Sequence, residues 1–232
     1  MVPKTCRVTS CRGPCLITRR VNPSRLPVRD SPGAPAFGSP EPVAGNWQRL
    51  AGFAVAPGLH GRSVPVIVLW SIVQTTFFRW SPQIAYRWRN TLLRIFGARV
   101  GRGVKIRPTA KITHPWRLAI GPDCWIGDEV ILYTVAQTTI ESDVVVSQRS
   151  YLCSATHDYT AATFDTTARP ITLRAGAWVA TDVFIGPGVT IGSGTVVGAR
   201  SSVFSDLPPG MVCYGYPARP IKKRVMRSGD SQ

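Results

Sequence analysis

The sequence predicts an all-β solenoid, and three observations predict it. Aliphatic residues recur at every sixth position from Leu173 through Val179, Ile185, Ile191 and Val197 to Val203. Four positions after each of the first five stands a small or β-branched residue: Ala177, Val183, Val189, Thr195 and Ser201. Gly186, Gly188, Gly192, Gly194 and Gly198 punctuate the same stretch where tight corners are needed. Neither a helical nor a two-residue period keeps this set on one face over that length. A short strand and a turn every six residues do. Three such strands close one triangular coil, with the aliphatic side chains pointing down its bore.

The ladder starts earlier, at Val100, and runs through Ile106, Ile112, Ile120, Ile126, Leu132, Ile140, Val146 and Leu152. From Val100 to Val203 it comprises fifteen hexads, hence five coils. Steps of six give way to steps of eight at 112→120 and 132→140, and to a step of 21 at 152→173. These interruptions fall every third hexad, so all three insertions leave the prism at one corner, stacked along it. The third is expected to be a loop over about 158–170. Insertions gathered on one side of a solenoid mark the side where a site is built.

Upstream, residues 1–45 contain eight prolines and no apolar run, and are expected to be a disordered leader without a fold of its own. Residues 46–97 are an N-terminal helical region. Within it, Val64 to Phe78 is uncharged over 15 residues, short of the roughly 20 that cross a bilayer, and carries Gln74, Thr75 and Thr76. A helix docked on the protein and a helix lying at a membrane interface both fit it better than a span. Tyr86 to Phe96 reads as an amphipathic helix, with Leu92, Leu93 and Phe96 on the apolar side, Arg87, Arg89 and Arg94 opposite, and Gly97 as its stop. The solenoid domain occupies 98–210 and ends at Asp206–Gly210. A basic tail, 211–232, follows with Arg219, Lys222, Lys223, Arg224 and Arg227.

A formal charge of +16, from 28 Lys and Arg against 12 Asp and Glu, points to an anionic partner. A nucleic acid is not expected, because neither paired zinc ligands nor a basic region leading into heptads occurs. Cys6, Cys11 and Cys15 form no CxxC and have no histidine nearby, while Cys124, Cys153 and Cys213 lie far apart. Ordinary thiols in a reducing compartment are therefore expected, with no metal site. A cytoplasmic setting is expected, with peripheral contact to the inner face of the membrane through 64–80 as the alternative to a docked helix.

The stretches CWIGDEVILY (124–133), SATHDY (154–159), the run from Arg169 to Gly210, and GYPARPIKKR (215–224) together resemble the hexapeptide-repeat acyltransferases. Within that family the chain looks most like exopolysaccharide O-acetyltransferases, which are related to galactoside, maltose and nodulation-factor acetyltransferases. The resemblance covers about Trp80 to Lys223. It implies a left-handed parallel β-helix, acetyl-CoA as acyl donor, a homotrimer, and sites in the clefts between neighbouring prisms. The acceptor it implies is a saccharide hydroxyl. An amino-sugar acceptor and a catalytically silent scaffold remain as alternatives. One departure stands out: Tyr216 occupies the place of the Asn in the family's Gly-Asn-Pro-Ala run.

Moving an acetyl group from a thioester to an alcohol requires the hydroxyl to lose its proton as it attacks. A near-neutral imidazole suits that task. His157, at the mouth of the large insertion, matches the histidine that serves as base in the resembling enzymes. Asp158 orients that ring, binds the acceptor, or caps the loop. Asp128 and Glu129 are candidates for binding acceptor hydroxyls, as is His114 in the first insertion, although a plain corner role fits His114 as well. His60, in a Gly/Pro-rich segment, carries no case. For the coenzyme, Gly176, Ala177, Ala180, Gly198 and Ala199 would let a pantetheine arm lie close, and a backbone N–H near Ala180 would face the developing oxyanion. Arg200, Arg219, Lys222 and Lys223 are candidate phosphate partners.

Overall fold

The computed structural model describes residues 47–226; the expectations for the leader and its three cysteines lie outside the described residues. Three parallel sheets form the walls of a triangular prism. The first face holds Arg99–Val100, Leu118–Ile120, Thr138–Ile140, Ile171–Leu173 and Thr190–Ile191. The second holds Lys105–Ile106, Trp125–Ile126, Val145–Val146, Trp178–Val179 and Val196–Val197. The third holds Lys111–Ile112, Ile131–Tyr133, Tyr151–Cys153, Phe184–Ile185 and Ser202–Val203. The hexad residues stack in register, as in Ile126↔Val146 and Val146↔Val179, and all are buried from Ile106 to Val203. The corners between the first and second faces each contain a left-handed residue: Gly103, Asp123, Asp143, Gly176, Gly194 and Gly210. Glycine meets no steric penalty there, and aspartate tolerates the conformation best among the other residues used.

The three insertions leave at the corner between the third and first faces, as the interrupted spacing predicts. The third is more ordered than a loop. Ala155–His157 and Thr166–Ala168 form an antiparallel hairpin, with His157 opposite Thr166. The C-terminal end also differs from the expected tail. Met211–Gly215 adds to the second face beside Val196–Val197 and turns back antiparallel into Ala218–Lys223. The step 203→207 is only four residues, which interrupts the hexad count. Leu207 nevertheless bridges to Ile191, and Cys213 pairs with Val197 six residues later.

Two helices close the opposite end. Helix α1 (Val64–Val73) runs on through a π-helical turn, Gln74–Phe78, and α2 spans Tyr86–Ile95. Trp70 and Phe78 are buried in the core, and the Trp70 indole N–H donates to the Ile112 carbonyl at 2.7 Å. Gln74 accepts from the Ile112 N–H at 2.6 Å, so the residue that argued against a membrane span is a docking contact. Arg89 is not on a solvated face as expected: it is fully buried. Its guanidinium donates to the carbonyls of Ile106, Pro82 and Gln83 and to the Ser81 hydroxyl, at 2.6–2.8 Å. Among the described residues no helix is long and apolar enough to cross a membrane.

Candidate active site

The insertion corner is covered by the segment that precedes α1. The Arg49 N–H donates to the Ala162 carbonyl at the hairpin tip, at 2.8 Å. Phe53 sets its ring edge-on to His157, with centroids 5.8 Å apart. Trp116 and Arg117, from the first insertion, donate to the carbonyls of His60 (2.7 Å) and Gly58 (3.2 Å). Gly61 has left-handed backbone, and a Cβ there would strike the Arg117 side chain at 2.8 Å. Between this strap and the hairpin lies a cavity of about 240 Å³, lined by Phe53, His60, Tyr133, Val135, His157 and Thr166 among others.

His157 is held by its own hairpin. Its Nδ1 lies 2.9 Å from the Phe164 carbonyl, and the Phe164 ring stacks on the imidazole at 4.3 Å and 4°. A carbonyl only accepts, so Nδ1 carries the proton of this bond and the neutral ring keeps its lone pair on Nε2. The arrangement can therefore accept a proton at Nε2. Asp158 does not touch the ring. Its Oδ1 accepts from the Thr160 N–H (2.9 Å) and hydroxyl (2.6 Å), and these bonds hold its carboxyl below the ordinary carboxylate range. The positioning group is thus the Phe164 carbonyl, and Asp158 caps the turn.

His114 is buried at the corner. Its Nε2 lies 3.0 Å from Nδ1 of His60, the two rings stack at 5.1 Å, and its Nδ1 lies 3.1 Å from the Thr113 hydroxyl. Burial, then the nearby His60 and Arg117, push it down to about 4. The chain has three histidines, and all three meet at this corner. This contact to His60 was not legible in the sequence, because nothing periodic marks its segment and its partner lies 54 residues away. The scarcity of histidine was the one available signal.

The other candidates lie on different corners. Asp128 and Glu129 turn between the second and third faces, and the two Asp128 oxygens accept from Arg107 Nε (2.7 Å) and the Thr109 hydroxyl (2.8 Å). Burial raises the Asp128 carboxyl, but these bonds outweigh it and leave it lowered. One chain therefore does not bring Asp128 and Glu129 to His157. Ala180, Gly198, Ala199 and Arg200 stack along this same corner, whereas Gly176 and Ala177 turn between the first and second faces.

Three of the coenzyme expectations change. Ala177 is fully buried and presents no surface. The Ala180 N–H is already given to the Val197 carbonyl at 2.9 Å, so it is not free for an oxyanion. A Cβ on Gly198 would meet the Tyr214 side chain at 2.9 Å, so the missing side chain makes room for the C-terminal hairpin. Gly176 is a left-handed corner whose carbonyl accepts from Arg224. Arg200, Arg219, Lys222 and Lys223 are exposed, with Arg200 3.8 Å from Asp182 and the other three on the added hairpin. Among the described residues no three metal-ligating side chains converge.

A hexad-repeat, left-handed β-helix with a histidine-bearing hairpin at its stacked corner has the framework of a hexapeptide-repeat acyltransferase. No family model matches the chain. It is 53% identical over 178 residues to "Putative colanic acid biosynthesis acetyltransferase WcaF" of Escherichia coli K12, a match covering 77% of this chain and 98% of that protein. It is 28% identical over 138 residues to the galactoside O-acetyltransferase of the same organism, covering 58% and 68%. Among solved structures, a hexapeptide-repeat acetyltransferase from Vibrio cholerae, complexed with acetyl coenzyme A, shares the fold with a TM-score of 0.65 at 24% identity, covering 72% of this chain and 92% of that one. The chain belongs to the hexapeptide-repeat acetyltransferases of the colanic-acid type, and it is an acetyltransferase.

Proposed function

We propose that this protein transfers the acetyl group of acetyl-CoA to a hydroxyl of a saccharide acceptor, with His157 as general base. The observation that carries the reading is the Nδ1 bond to the Phe164 carbonyl, which leaves Nε2 bare beside a cavity. The acceptor O–H gives its proton to Nε2 as its oxygen attacks the thioester carbonyl. The C–S bond then breaks, and the imidazolium returns the proton to the leaving thiolate, giving the ester and free CoA. The coenzyme candidates, with Asp128 and Glu129, lie away from the insertion corner, which supports a homotrimer in which a neighbouring copy presents the thioester. Arg200, Arg219, Lys222 and Lys223 would hold the coenzyme phosphates, Ala199 would flank the arm, and Asp128 and Glu129 would reach acceptor hydroxyls of an adjoining cleft.

The acceptor belongs to a surface polysaccharide or its lipid-linked precursor. Support comes from α1, whose outer side exposes Val64, Val68, Leu69 and Ile72, followed by exposed Phe77 and Trp80 and the exposed cations Arg79 and Arg87. That combination suits peripheral contact with an anionic bilayer. Vesicles of phosphatidylglycerol should co-sediment the protein, and Leu69→Glu should release it. The function itself is tested by thiol release from acetyl-CoA in the presence of sugars, nucleotide sugars and lipid-linked oligosaccharides. An alkali-labile acetyl ester on a sugar is the expected product. An alkali-stable amide would replace this reading with the amino-sugar alternative.

A further inference from the structure

We propose that His60 is the acceptor-positioning residue of this site, and that the cavity it shares with His157 takes an uncharged sugar ring. The inference rests on the reading of His157 as base and extends it to the class of acceptor. Of the three histidines, one is engaged in the chemistry and one is buried; His60 is the third, half-buried and lining the same cavity. It is held from two sides. The Trp116 indole fixes its carbonyl at 2.7 Å, and His114 Nε2 takes up its Nδ1 at 3.0 Å. With Nδ1 engaged, Nε2 is the ring nitrogen left for a ligand.

His114 is itself framed for this role. Its N–H donates to the Thr134 hydroxyl at 2.8 Å, and its Nδ1 meets the Thr113 hydroxyl, which accepts from the Thr134 N–H at 2.9 Å. A buried, fully partnered imidazole in contact with a half-exposed one is a costly arrangement for a mere corner. A hydrophobic side chain at 114 would close that corner without desolvating polar atoms.

The lining defines the ligand. Phe53, Tyr133, Val55, Leu59 and Val135 give apolar and aromatic walls; the polar groups are His60, His157, Thr156 and Thr166. Among the described residues no carboxylate, lysine or arginine lines the space, so nothing among them compensates a buried charge on the ligand. A neutral pyranose fits this chemistry: its C–H faces lie on the aromatic walls, and its hydroxyls reach the imidazoles. At about 240 Å³ the cavity is smaller than an ordinary small-molecule pocket, so it takes a single ring of a larger acceptor.

The test is binding, read independently of turnover. Methyl β-glucoside, methyl β-galactoside, glucuronate and glucosamine are titrated against the full chain, His60→Ala, His60→Gln and His157→Ala, with thermal melts confirming that each variant folds. The expected result is binding of at least one neutral methyl glycoside in preference to both charged sugars, weakened tenfold or more by His60→Ala. His60→Gln, which restores a polar hydrogen-bonding group, should recover part of the loss, and His157→Ala, which removes the base, should lose thiol release. In steady-state assays His60→Ala should raise KM for the acceptor while KM for acetyl-CoA stays put. Equal binding of the glycoside by His60→Ala and the parent, binding of no neutral probe by the parent, or preference for a charged sugar would overturn the proposal. Failure of the base assignment looks different: His157→Ala would then keep its thiol release, whatever His60 does to binding.

Discussion

At the residue scale, the work of the site is divided in a way that residue type alone does not disclose. The histidine of SATHDY stands out in the sequence because an imidazole suits the proton transfer proposed for it and its hairpin interrupts a regular ladder. Its orienting group does not, because a backbone carbonyl has no identity in a sequence. Phe164 supplies that carbonyl from left-handed backbone and stacks its ring on the imidazole. Phe164→Ala should therefore lower kcat about tenfold or more through loosened orientation of the base, with KM for acetyl-CoA unchanged. Asp158→Asn should cost far less, because the side chain caps a turn and can still accept from Thr160 through its amide oxygen. Steady-state kinetics of the two variants side by side check both. Arg89 gives the opposite lesson. In a helix pattern it counts as a polar-face residue, yet here it satisfies four acceptors under the solenoid. Arg89→Met would strand those acceptors, and a loss of about 3 kcal/mol in denaturant midpoint analysis is expected.

At the element scale, the strands were legible almost one by one, because each hexad places one aliphatic residue in the bore. The hairpin and the added C-terminal strand were not. Ala155–His157 and Thr166–Ala168 carry no bore residue, and the four-residue step from Val203 to Leu207 hides a rung that the structure keeps. The strap from Arg49 to Gly61 is non-periodic and takes its place from contacts with the insertions. Its imidazole pair makes a pH prediction. His114 is held near 4 in the fold against an ordinary value of about 6.5, so the unfolded chain binds the extra proton between those values. Stability is thus fully present above about pH 6.5 and falls as pH drops towards 4. The loss from this one group is at most roughly 3 kcal/mol, at about 1.4 kcal/mol for each tenfold change in proton affinity. Melting temperatures of the parent and His114→Asn, followed from pH 7 to 4, should converge at the acid end as the parent loses this contribution.

At the scale of the whole molecule, the prism is a stack in which each coil is supported by its neighbours, so damage in the middle weakens both sides. Ile185 is fully buried between Leu152 and Val203. Ile185→Ala should cost about 2–5 kcal/mol by leaving a void in the bore. The architecture and the side of the molecule carrying the insertions were legible from spacing, because the solenoid converts sequence intervals directly into corners. Which corners would meet was not, because under the proposed homotrimer residues on different corners of one chain come together through a neighbouring copy, a relation outside the period of the repeat. The most direct measurement is single-turnover thiol release from acetyl-CoA with a productive acceptor, comparing the parent with His157→Ala. With His157 as the base, the rate should fall about a hundredfold or more while acetyl-CoA binding stays intact; an unchanged rate would contradict that role.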